Sequence, residues 1–214
     1  MTSLHDCQPH DLLRIAADTR LPGAPAWVAA SLARAPWLVV RRVRASAQGI
    51  PVGVRGATRA ERFGTRVDPA AVLARCPPEA LCEAAGHCAP GASPARHLCS
   101  QLVSRLAEAG CAWGPTGSVG FELASGIPVT HANSDLDLIL RCPRPLPRDR
   151  ARALLAELDA SAQALARGID ALIETPAGAV SLREYAQGNA SVLLRTLDGV
   201  LLCRDPWRIR DAAH

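Results

Sequence analysis

Lysine is absent from this chain of 214 residues, and all 24 of its basic side chains are arginine. A lysine nucleophile and a lysine Schiff base are therefore excluded. Aromatic residues make up only 3% of the sequence, and the net charge is a modest +4. Because nucleic-acid surfaces usually combine a strong basic patch with a recognisable motif, we expect no nucleic-acid partner.

Long apolar runs are also missing, although 49% of the residues are hydrophobic. No uninterrupted apolar stretch approaches the roughly eighteen residues that a membrane-spanning helix needs. The first residues include Asp6, His10 and Asp11 and lack the basic region and apolar run of a secretory signal. We therefore expect a cytoplasmic protein with no membrane partner and with enough chain to bury a core.

The eight cysteines include no Cys-x-x-Cys pair. Six potential metal ligands do cluster along the chain: Cys76, Cys82, His87, Cys88, His97 and Cys99. Their spacing matches no common zinc module, and disulfides are rare in cytoplasmic proteins. We interpret the cysteines as free thiols, with a zinc site as the less favoured alternative.

Two carboxylates lie close together in the apolar segment Asn133–Arg141. Successive side chains of a strand alternate between its faces, so Asp135 and Asp137 project together while Leu136 and Leu138 pack inward. Adjacent carboxylates repel unless a cation lies between them, and Mg²⁺ binds oxygen ligands that it shares with substrate phosphates. The pair predicts a Mg²⁺ site, although Asp-x-Asp alone also occurs on ordinary edge strands.

A glycine-rich turn precedes this strand, in the segment Trp113–Gly126. Gly117 permits close approach to the backbone, Ser118 offers a hydroxyl and an amide, and the amides that open the following short helix favour an anion. The segment lacks the Gly-Lys-Ser/Thr of a Walker loop and does not fit the dinucleotide fingerprint. It predicts a different type of phosphate site, with a simple tight turn as the alternative.

A Gly-Ser turn that leads to an Asp-x-Asp strand resembles the arrangement in the nucleotidyltransferase superfamily. The resemblance implies that Gly117 and Ser118 bind a triphosphate and that Asp135 and Asp137 bind the metal. It also implies a third acidic residue on a neighbouring strand.

Two acidic residues are candidates for this third position, and both lie in the β-like run Gly168–Glu174. Asp170 and Glu174 occupy the same face of the predicted strand. We favour Asp170 as the third metal ligand and the third catalytic carboxylate. It stands at the start of the strand, where the chain passes nearest to the other two aspartates.

Segments along nearly the whole chain carry a closer resemblance. They are Pro9–Leu13, Val39–Arg42, Val52–Arg59, Arg62–Phe63, Trp113–Leu140, Ser181–Ala186, Leu193–Thr196 and Asp205–Trp207. They resemble the malonate decarboxylase holo-acyl-carrier-protein synthases, also called phosphoribosyl-dephospho-CoA transferases. The resemblance implies that triphosphoribosyl-dephospho-CoA is the donor and that a serine of the malonate decarboxylase acyl-carrier subunit is the acceptor. Pyrophosphate would leave.

Two other functions stay open on the sequence alone. The same carboxylates would serve a nucleotidyltransferase that places an ordinary nucleoside monophosphate on a protein or a small acceptor. A chain that has kept the fold without catalysis would act as a carrier-binding scaffold.

Arginines are dense between residues 41 and 66. Arg55, Arg59 and Arg62 flank a turn that we expect at Gly53 and Gly56. A solvated charged face is the ordinary explanation for such a cluster. The functional alternative is contact with substrate phosphates or with an acidic carrier protein, because guanidinium groups form bidentate hydrogen bonds with both kinds of anion.

Hydrophobic periodicity and turn residues predict an α+β protein. We expect helices at 9–19, 26–34, 57–63, 95–109 and 148–166. In addition to the Asp-x-Asp strand, we expect strands at 37–44, 50–55, 169–174, 191–195 and 199–203. Residues 1–76 would form a small N-terminal α/β domain, and the Pro- and Gly-rich segment 77–94 a linker. Residues 95–214 would form a nucleotidyltransferase-like mixed sheet covered by helices.

Overall fold

A computed structural model describes residues 7–58, 60–107 and 110–208. The chain divides into two compact units. The first runs to Pro77 and includes Ala124–Ile127, and the second comprises Pro78–Leu123 together with the chain from Pro128 onward. Both units combine helices with a sheet, so the expected α+β class is confirmed. None of the helices in these described ranges is long and apolar enough to cross a membrane.

The first unit is an antiparallel sheet with one long helix. Its elements are β1 (Leu12–Ile15), α1 (Ala26–Arg34), β2 (Trp37–Val40), β3 (Ile50–Arg55), β4 (Arg62–Val67) and β5 (Val72–Cys76). The strand order is β4-β3-β2-β1-β5. Val28 and Leu32 of α1 pack into a core with buried strand residues such as Leu13, Leu38 and Val52. One face of the sheet is thereby buried.

The helix expected at 9–19 is wrong, because this segment contains strand β1. Leu13 and Ile15 alternate into the core, and β1 pairs with a strand on each side, so tertiary pairing overrides local helix preference. Asp11 immediately precedes β1. Its fully buried carboxylate accepts hydrogen bonds from the Gln8 amide at 2.9 Å and from Arg75 Nε at 2.7 Å.

The helix expected at 57–63 is also wrong. The segment is the connection of a β-hairpin, in which Gly56 N donates to Glu61 O at 2.9 Å, and β4 begins at Arg62. Gly53 does not form a turn, since it lies within β3 opposite Gly64. The alternation of Phe63, Thr65 and Val67 along β4 is the strand signal that the helical interpretation overlooked.

The second unit contains the remaining elements. They are α2 (Cys82–Gly86), α3 (Pro94–Arg105), β6 (Ala112–Pro115), α4 (Gly117–Ser125), β7 (Leu136–Arg141), α5 (Arg148–Ala164), β8 (Ile169–Thr175), β9 (Gly178–Ser181), α6 (Leu182–Ala186), β10 (Val192–Arg195) and β11 (Val200–Cys203). The helices expected near 95–109 and 148–166 are present as α3 and α5. The strands expected near 169–174, 191–195 and 199–203 are present as β8, β10 and β11.

The sheet of the second unit is mixed. Its strand order is β11-β10-β9-β8-β7-β6, and β7 and β8 are parallel while the other neighbours are antiparallel. Helix α5 forms the crossover between the two parallel strands, as a parallel connection requires. The leucines of α3 and α5 share a buried cluster with Leu136, Leu138 and Leu140 of β7. Strand β7 is therefore anchored in the core.

Part of the segment expected to be an irregular linker is helical. Pro78–Leu81 forms a 3₁₀ turn that continues into α2, and Leu81 and Ala85 are buried. The turn lies against β6, where Gly114 leaves no room for a side chain. A Cβ at Gly114 would come within 2.1 Å of the Pro78 carbonyl.

Near the end of the described chain, Trp207 is fastened to the second unit. Its Nε1 donates to Cys142 O at 2.7 Å, and its ring meets Tyr185 edge to face with centroids 5.3 Å apart. The Tyr185 hydroxyl in turn donates to Leu146 O at 2.8 Å. The Asp-Pro-Trp segment thus serves a structural role.

Replacement of Gly114 by alanine should destabilise the second unit, because the new methyl group would displace the Pro78 turn. We expect a loss of about 1–3 kcal/mol in the free energy of unfolding, measured by urea denaturation. Gly86→Ala is the matched control, since a Cβ there meets nothing within 4 Å. Equal stability of the two variants would contradict the close packing at Gly114.

Candidate active site

Two of the predicted acidic residues lie side by side in the sheet. Asp137 of β7 and Asp170 of β8 are register partners on neighbouring parallel strands. The alternative acid, Glu174, pairs with Arg141 at the other end of the same strands. The strand register therefore places Asp170, rather than Glu174, beside the Asp-x-Asp motif.

Gly117 lies directly against the carboxylate of Asp137. Its backbone has φ +58°, and a Cβ at this position would be 1.9 Å from Asp137 Oδ2. The adjacent Thr116 amide donates to Asp137 O at 2.8 Å, which fixes the turn against β7. Glycine is required here for two reasons, the left-handed backbone and the space taken by the carboxylate.

A second glycine, Gly168, supports Asp135, which immediately precedes β7. The Gly168 amide donates to Asp135 Oδ1 at 3.1 Å, and a Cβ on Gly168 would lie 2.8 Å from the same oxygen. The Gly168 carbonyl accepts from Leu136 N at 3.0 Å. Sequence reasoning missed this role, and the position of Gly168 just before the strand of Asp170 was the available signal.

Ser118 is the second residue of α4, which begins at Gly117. The first amides of a helix have no intrahelical acceptors, and the helix dipole favours negative charge at this end. The start of α4 therefore presents polar groups suited to a phosphate beside the carboxylate of Asp137. The structure brings together Gly117, Asp137 and Asp170 at one end of the strands, with Asp135 directly before β7.

The donor chemistry of the three aspartates suits Mg²⁺, which prefers carboxylate oxygens. Within the described residues, however, no group of three carboxylate, histidine or cysteine side chains is arranged to hold a metal ion unaided. Protein sites for Mg²⁺ commonly supply one or two carboxylates and leave the remaining positions to water and substrate phosphates. The residues therefore fit a Mg²⁺ ion that binds together with a phosphorylated substrate.

Arg183, a basic residue of α6, interacts electrostatically with one of these carboxylates, that of Asp170. Arg183 forms a fork-like pair with Asp159, with Nη1 to Oδ2 at 3.1 Å and Nη2 to Oδ1 at 2.5 Å. The hydrogen bonds to Asp159 raise the pKa of Arg183, and the negative charges of Asp159 and Asp170 add to this effect. Arg183 is thus held as a cation within electrostatic reach of Asp170.

The loop before the Asp-x-Asp strand is organised by Glu122 of α4. Glu122 Oε2 accepts from Val129 N at 2.9 Å, from Thr130 N at 2.8 Å and from Thr130 Oγ1 at 2.7 Å. Arg96 Nε lies 3.8 Å from the other carboxylate oxygen. Burial raises the pKa of Glu122, but these hydrogen bonds and the Arg96 charge outweigh it and hold the pKa below its ordinary value.

His131 completes the same loop as a structural residue. Its Nδ1 accepts from Asn133 N at 3.2 Å, while Ser134 Oγ accepts from His131 N at 3.0 Å. These contacts shape the loop that precedes the two aspartates.

Two of the three predicted arginines are described by the structure, and both lie in the first unit. Arg55 and Arg62 are register partners at the end of the β3–β4 hairpin. Arg59 lies outside the described residues. Nothing tests their predicted contact with substrate, which stays a prediction.

The cysteine and histidine cluster contains one close pair, Cys88 Sγ and His97 Nδ1 at 3.4 Å. Burial raises the pKa of Cys99 to about 12. Burial and the charge of Glu79 raise the pKa of Cys82 to about 11, and its thiol donates to Trp113 O at 3.1 Å. The thiols of Cys82 and Cys99 therefore stay protonated at neutral pH. Among the described residues, which include all eight cysteines, no disulfide is formed.

Two family profiles match the chain. The phosphoribosyl-dephospho-CoA transferase MdcG N-terminal domain matches residues 8–78, and the C-terminal domain of the same type matches residues 80–206. The chain belongs to the phosphoribosyl-dephospho-CoA transferase family. This membership confirms the resemblance carried by the sequence motifs, and it makes the protein a transferase.

Curated relatives bear the name phosphoribosyl-dephospho-CoA transferase. One from Pseudomonas aeruginosa is 46% identical over 209 residues, which is 95% of each chain. One from Azotobacter vinelandii is 45% identical over 205 residues, or 94% of each chain. One from Pseudomonas putida is 43% identical over 209 residues, or 96% of this chain and 98% of the relative. No solved structure matches the chain.

Gly117→Ala should abolish most of the transferase activity, because the added methyl group would displace the Asp137 carboxylate. We expect a loss on the order of 100-fold in kcat/KM, measured in the transfer assay described below. Gly126→Ala is the matched control, since Gly126 also has a positive φ of +70° but a Cβ there meets nothing within 4 Å. Equal losses in both variants would attribute the effect to backbone strain alone.

Replacement of Glu122 by glutamine should lower stability in a pH-dependent way. The depressed pKa means that the Glu122 carboxylate stabilises the fold above its ordinary pKa of about 4.3, and that this contribution disappears as pH falls through the folded-state value. We expect urea denaturation to show a deficit of about 1–2 kcal/mol at neutral pH that shrinks in acid. The exposed Glu83→Gln is the control, and a deficit independent of pH would contradict the role of the charge.

Proposed function

We propose that this transferase moves the 2′-(5″-phosphoribosyl)-3′-dephospho-CoA group from its triphosphate precursor to a serine of the malonate decarboxylase acyl-carrier subunit, with release of pyrophosphate. Membership of the family supports the nature of the transferred group. The observation that supports nucleotidyl-transfer chemistry is the register pairing of Asp137 with Asp170, beside a glycine at the start of a helix.

Asp135, Asp137 and Asp170 would hold Mg²⁺ in this proposal. Their carboxylate oxygens and their position at one end of two strands suit an ion that is also bound by the donor's phosphates. When bound, Mg²⁺ supplies positive charge that offsets the charge of the triphosphate and of the pyrophosphate leaving group.

The remaining residues of the site position the reactants. Gly117 lets a phosphate approach the backbone, and Ser118 offers its amide and hydroxyl to the departing phosphates. The carrier serine Oγ forms a bond to the phosphorus attached to the ribose 5″ oxygen, while the bond from that phosphorus to pyrophosphate breaks. The exposed carboxylate of Asp170 is suited to orient the serine hydroxyl and accept its proton.

We further propose that the reaction takes place in the cytoplasm. No disulfide joins any of the eight cysteines, all of which lie in the described part of the chain, and Cys99 and Cys142 are buried. Proteins that work in oxidising compartments commonly pair their cysteines in disulfides, whereas cytoplasmic proteins keep them reduced. The lack of disulfides among these residues supports a reducing compartment.

Intact mass spectrometry of the carrier subunit tests the proposal. The apo carrier is incubated with this protein, Mg²⁺ and triphosphoribosyl-dephospho-CoA, and we expect the mass of the prosthetic group to be added to one serine. Asp135→Asn, Asp137→Asn and Asp170→Asn should each slow the transfer on the order of 100-fold or more, since each removes a charge that the reaction uses.

Glu174→Gln provides the matched control, because Glu174 lies on the same strand as Asp170 but pairs with Arg141. Its transfer rate should stay close to that of the parent protein. A mass increase of one AMP with ATP as the only donor would favour transfer of an ordinary nucleotide. No mass increase with either donor would overturn the proposal and favour a non-catalytic carrier-binding scaffold.

A further inference from the structure

Positive charge is concentrated in the first unit. The chain up to Pro77 holds eleven of the 24 arginines but only five of the 20 acidic residues, and Ala124–Ile127 adds no charge. The rest of the chain therefore holds thirteen arginines against fifteen acidic residues. An excess of one sign in one unit indicates that its partner carries the opposite sign.

The outer face of the first unit's sheet carries part of this charge. In the β3–β4 hairpin, Arg55 pairs with Arg62 and Gly53 pairs with Gly64. These two pairs project to the same side, because side chains alternate along a strand. The intervening residue Val54 is buried in the core on the opposite side.

A third arginine lies across the glycine pair on this face. A Cβ on Gly64 would be 2.3 Å from Arg41 Nη1, and a Cβ on Gly53 would be 3.7 Å from Arg41 Cδ. Because neither glycine has a side chain, the Arg41 side chain packs directly over their backbone. Arg41 and Arg62 are exposed, and Arg55 is half-buried. We name Arg41, Arg55 and Arg62 the arginine face.

Arg66, a nearby arginine of β4, has a different role. Its Nη1 donates to Gly49 O at 3.2 Å, and its Nη2 donates to Arg44 O at 3.2 Å. These hydrogen bonds hold the loop between β2 and β3. Arg66 is therefore a structural residue and does not belong to the arginine face.

The chemistry of the arginine face suits an acidic partner. Guanidinium groups form charge-assisted hydrogen bonds with carboxylates, and their planar fork can bind one carboxylate through two parallel bonds. Arg41 and Arg62 are exposed at the surface where such a partner would bind.

We propose that the arginine face docks an acidic surface of the acyl-carrier subunit, an inference that rests on the proposed function. The excess positive charge of this unit and the exposed guanidinium groups of Arg41 and Arg62 favour a partner surface that is rich in carboxylates. The open sheet face suits a protein surface of this kind. A small phosphorylated ligand would instead require a concave pocket that closes around it.

The double variant Arg41→Ala/Arg62→Ala tests the docking surface. Transfer is measured with the carrier varied at fixed donor, and then with the donor varied at fixed carrier, each at low and high salt. We expect the KM for the carrier to rise about tenfold at low salt, with a shallower salt dependence and an unchanged KM for the donor.

Arg20→Ala/Arg34→Ala is the matched control. It removes the same charge from exposed positions near α1 in the same unit, and its carrier KM should stay close to that of the parent. An unchanged carrier KM in the Arg41/Arg62 variant would overturn the inference. A rise in the donor KM instead would assign the arginine face to the donor's phosphates.

Calorimetric titration of the carrier subunit onto the full-length protein separates this inference from the proposed function. One possible result is that the parent protein binds the carrier but transfers nothing, while the Arg41/Arg62 variant binds the carrier more weakly. The proposed function would then fail, and the docking surface would be supported. If transfer proceeds and both double variants bind the carrier equally well, the docking surface fails and the proposed function stands.

Discussion

Parallel pairing between β7 and β8 is the constraint on which the candidate site depends. A parallel pair cannot be closed by a tight turn, so helix α5 returns the chain to the same end of the sheet before β8 begins. This crossover brings Asp170 beside Asp137 and keeps Glu174 at the opposite end. Buried leucines of β7 hold the strand in place, so the backbone that carries the Asp137 carboxylate is fixed in position.

The main helices and strands of the second unit were largely predictable from sequence. Helix α5 and strand β8 have strong hydrophobic periods, and the aspartates stand in a short apolar motif whose alternation fixes their direction. The contacts of Gly168 and Glu122 were harder to predict, because each joins segments that only the fold brings together. The position of Gly168 just before the strand of Asp170 was a local signal, whereas the type and spacing of Glu122 carry none.

The first unit was harder to predict for a related reason. Strand β1 has only four residues, and they suit a helix as well as a strand when read alone. Sheet neighbours decide between the two, as the pairing of β1 with both β2 and β5 illustrates. In the β3–β4 hairpin, strand pairing places arginines and glycines on one face of the sheet, where the glycines leave the backbone uncovered by side chains. Sequence spacing alone does not reveal this pattern.

The contacts between glycines and aspartates have a consequence for judging relatives of this enzyme. Gly117 lies against Asp137 and Gly168 against Asp135, so each carboxylate occupies space that any other residue at the glycine would fill. The four positions therefore cannot vary independently during evolution. A homologue that keeps both aspartates but has replaced either glycine would pass a simple motif search, and it would still have lost the geometry on which the proposed catalysis depends.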